Sequence, residues 1–160
     1  DHSVHPKGNF NIGWIPRIGL TLNISEEFNK IKWYGRGPVE NYPDRKNGSK
    51  IGIHSLQASD FFTPYVVPQE HGNRSDARWM EITNGNTGWK IHSNGLFHFS
   101  VHGYDNLSPA LYTCQLNEPG NWILNLDKNV SGVGLKVVKT RPEYRVYPDQ
   151  YNYTFIFVPW

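Results

Sequence analysis

Four carboxylates stand in two close pairs that could serve acid–base chemistry. Glu40 lies just before Asp44, and Glu70 just before Asp76. Two carboxylates flanking one bond are what hydrolysis of a glycosidic linkage requires. Both pairs are interleaved with arginines, which are Arg36, Arg45, Arg74 and Arg78. Neighbouring arginines lower the pKa of a carboxyl group, whereas a general acid needs a raised pKa, so the pattern favours structural pairing over catalysis.

The first of these segments predicts a structural charge network and no catalytic residue. Charges of opposite sign alternate closely around Gly35 and Gly37, where the backbone can make close approaches. We expect the side chains of this network to brace the turn over residues 35–43. Its predicted members are Arg36, Glu40, Asp44 and Arg45, together with Arg78.

The histidines raise a metal hypothesis that strand geometry argues against. His98 and His102 are the best pair of the seven. Residues four apart on a strand share a face but lie about 13 Å apart, too far for one zinc ion. We therefore predict no metal site. The alternative is a polar strand face that meets sugar or solvent, opposite a buried face; the polar face comprises Leu96, His98, Ser100 and His102, and the buried face Phe97, Phe99 and Val101.

Composition excludes several functional classes. The formal net charge is only +2 and the basic residues are scattered, so no nucleic-acid footprint is present. No apolar run is long enough to span a membrane, and the lone Cys114 cannot form an intrachain disulfide. The glycines of residues 131–135 lack the spacing of a nucleotide-binding loop. The sequence does not indicate the cellular compartment.

The elements that must position these residues are predicted to be short strands. Apolar residues alternate with other types in many segments, and Gly, Pro and Asn-Gly turn signals separate them. One helical turn is expected from Ser108 to Tyr112. We predict an all-β antiparallel sandwich over residues 16–160, preceded by a lead segment over residues 1–15. The expected strands cover residues 17–24, 28–34, 51–56, 78–83, 88–92, 96–102, 122–126, 144–147 and 151–158.

Two long motifs carry a family resemblance. Residues 33–46 read WYGRGPVENYPDRK, and residues 64–74 read PYVVPQEHGNR. Both closely resemble the last domain of glycoside hydrolase family 2 β-galactosidases. Shorter matches follow in the same order, from Pro16-Arg17-Ile18-Gly19-Leu20 to Pro142-Glu143-Tyr144. The resemblance covers most of residues 16–157.

The resemblance implies a fold, a set of partner domains and the location of the catalytic residues in another domain. The fold is a galactose-mutarotase-like supersandwich, of which this chain resembles the C-terminal part. In the family this domain follows a TIM barrel that holds both catalytic glutamates, or it belongs to a small subunit that assembles with a catalytic large subunit. The implied parent is oligomeric, its Mg and Na ions lie in other domains, and no cofactor is expected in this chain. The candidate carbohydrate-binding residues are His98, His102, Glu70, Asn73 and Arg74.

Three features depart from the family pattern. After Gly134 relatives continue to a Trp that lines the sugar site, whereas Leu135 to Lys139 follow here, and we expect no aromatic platform from that segment. Trp122 or Trp89 is the alternative source of such a platform. A His of relatives is replaced by Tyr112, and the terminal Trp160 is assigned no role.

Two other functions remain open from the sequence. The abundance of Trp and Tyr would suit a freestanding carbohydrate-binding module, since aromatic faces stack on sugar rings. The implied fold is shared with aldose epimerases, although a fold alone does not establish function.

Overall fold

The structure is a computed structural model that describes residues 1–8, 12–105, 107, 109–134 and 139–160. Strands dominate the described residues, and three short 3₁₀ turns lie at Ala58–Phe61, Thr113–Gln115 and Pro142–Tyr144. No helix in this part of the chain is long and apolar enough to cross a membrane. The strands are β1 (His2–Val4), β2 (Arg17–Ser25), β3 (Lys30–Gly37), β4 (Lys50–Gln57), β5 (Arg74–Thr83), β6 (Gly88–His102), β7 (Asn121–Val130), β8 (Tyr151–Tyr153) and β9 (Phe155–Pro159).

Seven strands form one antiparallel sheet: six follow the order β2-β7-β6-β5-β3-β4, and β9 pairs with β6 off this path. The long β6 is its centre: its second half pairs with β7, while its first half pairs with β9. The short strands β1 and β8 form a second, two-stranded sheet. The predicted all-β class and antiparallel, sandwich-like arrangement are confirmed. The division at residue 16 stays a prediction, with β1 lying in the segment that we set apart.

Period-two alternation places one face of the large sheet in the core. On β3, Ile31 and Trp33 are fully buried, and they pair across the sheet with Ile82 and Met80 of β5. Directly opposed side chains on one sheet face are close enough to pack against each other. The 3₁₀ turn Ala58–Phe61 adds Phe61 to this core, and the Phe61 ring centroid lies 5.7 Å from that of Trp33. This core holds the motif loops in place at the end of β3 and the start of β5.

Several element boundaries were predicted wrongly, and ladder pairing explains the errors. The Gly35–Gly37 segment continues β3 because Gly35, Arg36 and Gly37 pair with residues of β4. Asn94-Gly95 makes no turn, and β6 runs through it. Residues 144–147 form no strand; the chain has a 3₁₀ turn there and a single bridge from Val146 to Ile15. Ser108, the predicted helix cap, lies outside the described residues.

Candidate functional site

Glu40 joins the two sequence motifs. Its Oε1 accepts hydrogen bonds from Arg45 Nη2 at 2.7 Å and from the Tyr65 hydroxyl. Its Oε2 accepts from the Gly72 backbone N–H at 2.8 Å and from Thr63 Oγ1 at 3.1 Å. Four donors on one carboxylate tie the loop after β3 to the loop before β5.

These contacts decide the charge of Glu40. Partial burial opposes ionisation, but the hydrogen bonds from Tyr65 and Gly72 and the charge of Arg45 outweigh it and lower the pKa of Glu40. A carboxylate held ionised in this way cannot supply a proton near neutral pH. The Arg45–Glu40 part of the predicted network therefore acts as a structural tie.

Arg36 and Asp44 bind elsewhere, so the predicted network is not continuous. Arg36 Nε donates to Asp76 Oδ2 at 2.6 Å, and Lys46 Nζ lies 3.0 Å from Asp76 Oδ1. Asp76 has a φ of 56° at an irregular stretch of the β5–β6 ladder, and this bulge aims its carboxylate at both cations. Arg78 donates to the Asp76 backbone carbonyl at 2.6 Å.

Asp44 holds the chain that follows β7. Its Oδ2 accepts from the Gly134 N–H at 2.7 Å, and its Oδ1 accepts from Val133 N at 3.3 Å. A Cβ added at Gly132 would lie 2.5 Å from the Asp44 Cγ, so only glycine fits there. The predicted partner of Asp44 was an arginine; the structure shows backbone amides instead.

A second carboxylate cluster surrounds Arg17, which the sequence reasoning did not single out. Arg17 Nη2 lies 2.6 Å from Glu70 Oε2, and Nη1 lies 3.3 Å from Asp127 Oδ2 without the alignment of a hydrogen bond. Tyr42 donates to Glu70 Oε1 at 3.0 Å. Asp127 is 1% exposed, and burial raises its pKa to about 7 although the charge of Arg17 opposes the rise.

The other carbohydrate-binding candidates of the second motif are buried. Asn73 is 0% exposed and donates to the Asn41 carbonyl at 2.6 Å. Arg74 is 3% exposed; its guanidinium lies 4.5 Å from the Phe61 ring centroid, and burial lowers its pKa to about 10. Glu70 alone keeps substantial exposure. Sugar contact stays a prediction for all three, and burial argues against it for Asn73 and Arg74.

His98 and His102 lie on the polar face of β6, and this face is buried from Ser100 to His102. Ser100 is fully buried and His102 is 4% exposed. Asn125 of β7 donates to Ser100 Oγ at 3.1 Å, and His102 Nε2 lies 2.9 Å from the same oxygen. Burial lowers the pKa of His98 to about 4 and that of His102 to about 3, so both rings are neutral near pH 7. Burial argues against sugar contact at His102, and sugar contact stays a prediction for both histidines.

The tryptophans offered as alternative platforms have different surroundings. Trp89 packs on Phe28 with ring centroids 4.8 Å apart. Trp122 is half-buried, and its Nε1 donates to the Glu26 carbonyl at 3.2 Å. The segment from which we expected no aromatic platform is Leu135 to Lys139, and its residues 135–138 lie outside the described part of the chain. Tyr112 is 63% exposed.

The fold is that of an antiparallel β-sandwich domain whose loops are held together by carboxylate side chains. Comparison with known proteins identifies the family. A family model described as the β-galactosidase small chain matches residues 1–157. The chain is 34% identical over 144 residues to a β-galactosidase of Vibrio cholerae, covering 87% of this chain and 14% of that protein. A β-galactosidase 2 of Enterobacter cloacae is 39% identical over 145 residues, covering 87% and 13%.

A β-galactosidase of Priestia megaterium is 33% identical over 152 residues, covering 91% of this chain. The chain therefore belongs to the β-galactosidase small-chain family, as its two long motifs predicted. It spans 15% of the length of the Priestia protein, similar to its share of the other two.

Proposed function

We propose that this chain is the noncatalytic C-terminal domain of a β-galactosidase-like glycoside hydrolase acting on β-galactosides. Its role is to support the catalytic barrel and the carbohydrate-binding rim of that barrel. The catalytic glutamates and the Mg and Na ions then belong to other domains, and the partner is a barrel domain or a large subunit in an oligomeric parent.

The observation that carries this proposal is the use of the motif carboxylates as ties. Glu40 accepts four hydrogen bonds, and its pKa is lowered. Asp44 is held by backbone amides, and Asp76 lies between two cations. A retaining or inverting glycosidase needs one carboxyl group that stays protonated above its ordinary pKa beside a second, ionised one. Neither Glu40 nor Asp76 can be the protonated group, because the pKa of each is lowered.

A row of four apolar side chains and one histidine, exposed at its two ends, supports docking on a partner domain. Five residues lie directly opposite one another across β4, β3, β5, β6 and β9. Ile53 is 64% exposed and Ile156 is 52% exposed at the two ends of this row. A sheet face that is half apolar and open to solvent is typical of an interaction surface. The row comprises Ile53, Tyr34, Trp79, His92 and Ile156.

Activity of the purified chain tests the noncatalytic role. We expect no hydrolysis of nitrophenyl β-galactoside by the chain alone, and the same result for Glu40→Gln and Glu70→Gln. Turnover that persists through purification and is lost in either variant would refute the proposal.

Assembly tests the docking row. In the intact parent enzyme, Ile53→Asp should weaken the association of this domain with the catalytic polypeptide, measured by sedimentation or by protection from proteolysis. Ser55→Asp is the matched control, because Ser55 is an exposed residue on the same edge strand, outside the row. Equal behaviour of the two variants would remove the row from the proposal.

A further inference from the structure

A cleft of about 470 Å³ lies beside the end of β6 and the start of β7. Its lining includes three half-buried aromatic side chains, Phe62, Tyr104 and Trp122. The Phe62 and Tyr104 rings stand edge to face with centroids 5.1 Å apart, and Trp122 is anchored through its indole N–H. A Cβ at Gly103 would lie 3.1 Å from the Trp122 ring, so glycine leaves this side of the indole uncrowded. The cleft therefore has fixed aromatic walls.

Polar groups converge on the same cleft. Glu26 and Glu118 line it, and both are exposed. Burial and the neighbouring Glu118 carboxylate raise the pKa of Tyr104, so this carboxylate lies beside the Tyr104 hydroxyl. His71 also lines the cleft and is 1% exposed. Its Nδ1 lies 2.9 Å from the Gln69 carbonyl, whereas its Nε2 has no hydrogen-bond partner among the described residues.

The histidine geometry indicates what the cleft can recognise. A carbonyl oxygen only accepts, so Nδ1 carries the proton in the neutral ring and Nε2 is left as an acceptor. A buried acceptor without a partner costs free energy that a ligand hydroxyl can recover. The two carboxylates are further acceptors. The cleft therefore combines apolar ring faces with acceptors and suits a ligand rich in hydroxyl donors.

We propose that this cleft is a sugar-binding site, in which the aromatic walls pack on the pyranose ring and Glu118, Glu26 and His71 accept hydrogen bonds from its hydroxyls. This site goes beyond the supporting role proposed above. It uses none of the five residues that the sequence singled out as carbohydrate-binding candidates, and it includes Trp122, the alternative aromatic platform. Its volume lies within the range of small-molecule sites and suits a mono- or disaccharide.

Other ligand classes fit the cleft less well. Its two carboxylates would repel phosphates and other anions. Among the described residues, no group of three or more His, Cys, Asp or Glu side chains could hold a metal ion. A quaternary ammonium ion would also suit carboxylates and aromatic rings, but its charged head carries no N–H that could donate to His71 Nε2. Choline is therefore included as a competing probe.

The proposal can be tested by ¹⁹F NMR of the full-length protein labelled with 5-fluorotryptophan. Loss of one resonance in Trp122→Phe assigns the Trp122 signal, and the remaining tryptophans report on the rest of the molecule. The probes are methyl 1-thio-β-galactoside, which resists hydrolysis, and choline. We expect the galactoside to shift the Trp122 resonance saturably with a dissociation constant on the order of 1 mM, and choline to leave it unchanged.

Glu118→Gln gives the matched comparison, because Glu118 is exposed and the amide keeps its shape. It should weaken binding about tenfold, the loss expected for a charge-assisted hydrogen bond, whereas the exposed Glu27→Gln should leave binding unchanged. The proposal is overturned by any of three results: no saturable shift up to about 100 mM galactoside, a shift with choline only, or equal affinities in the two variants.

Discussion

Glu40 and Asp127 each face one arginine, yet their pKa values move in opposite directions. Glu40 meets Arg45 and three further donors from Tyr65, Gly72 and Thr63. Asp127 is almost fully buried beside Arg17, with its Oδ2 unpaired by a hydrogen bond and with Glu70 competing for the same cation. The pKa of Glu40 is lowered, and that of Asp127 is raised to about 7.

The difference shows that the depth of burial and the number of aligned donors, more than the presence of an arginine, determine whether a carboxylate stays charged. Hydrogen bonds stabilise the ionised form directly, while a shared cation compensates only part of the desolvation. Glu40 thus serves as a permanent tie between the two motifs. Asp127 instead takes up a proton as the pH falls through about 7.

Removal of the Glu40 carboxylate should destabilise the chain as much as any substitution considered. Glu40→Ala leaves Arg45 without its ion pair and the Gly72 N–H without its acceptor, so we expect a loss of unfolding free energy of about 3 kcal/mol at pH 7. Chemical denaturation measures this loss. The exposed Glu27→Ala is the control and should stay within about 0.5 kcal/mol of the native chain. Equal losses of unfolding free energy in the two variants would mean that the Glu40 contacts do not stabilise the fold.

Removal of Arg17 should be costly in a pH-dependent way. At pH 8 Asp127 is ionised, and Arg17→Ala leaves it buried without a cation, which we expect to cost about 3 kcal/mol. At pH 5 Asp127 takes up a proton, and the cost should fall to about 1 kcal/mol from the lost Glu70 pair. Denaturation at the two pH values measures both. A loss independent of pH would contradict the raised pKa of Asp127.

The pH dependence of stability should separate the two carboxylates. A raised pKa means that the folded chain binds the proton more tightly than the unfolded chain, so the stability from Asp127 is complete below about pH 4 and is lost as the pH rises to about 7. Between pH 5 and pH 7 this loss amounts to about 2 kcal/mol, and Asp127→Asn should abolish it.

Glu40 should act at the opposite end of the same profile. Its pKa is lowered, so its contribution is present above the ordinary glutamate pKa and is lost only as the medium becomes more acidic than that value. Glu40→Gln should therefore flatten the acid limb of the profile and leave the limb between pH 5 and pH 7 in place. Flattening of the same limb by both variants would break the comparison.

An exposed ion pair gives the smallest effect and sets the scale. Arg141 lies 3.9 Å from Glu143, and both side chains are more than half exposed. Exposed pairs of this kind contribute little because solvent screens them. Arg141→Ala should change the unfolding free energy by less than about 0.5 kcal/mol, measured by the same denaturation. A loss close to that of Glu40→Ala would show that aligned donors add nothing.

The sequence predicted much of the fold and part of the site. Alternating residues located β2, β4 and half of β7, because one face of each strand packs on the core. The Arg45–Glu40 pair was also predicted, since both residues lie in one loop. Arg17 and Asp127 were missed as partners because only the register of β2 on β7 brings them together. That register was not readable from local spacing.

The bulge at Asp76 and the covered polar face of β6 were missed for the same reason. Asp76 reaches Arg36 through a left-handed φ that no residue pattern marked. His98 and His102 were expected at an open surface, but whether a second layer covers a polar strand face depends on loops distant in the chain. Two glycines in segments that match the family pattern were an available signal of these close contacts. A Cβ at Gly19 would collide with Asp127, and a Cβ at Gly132 would collide with Asp44.

Direct titration of the two carboxyl carbons by ¹³C NMR tests the comparison most closely. The Cδ of Glu40 and the Cγ of Asp127 can be assigned through Glu40→Gln and Asp127→Asn. We predict that Glu40 titrates below the ordinary glutamate value, while Asp127 titrates near pH 7. If both carbons titrate below about pH 4, the arginine alone keeps each carboxylate charged, and the distinction between the two sites is contradicted.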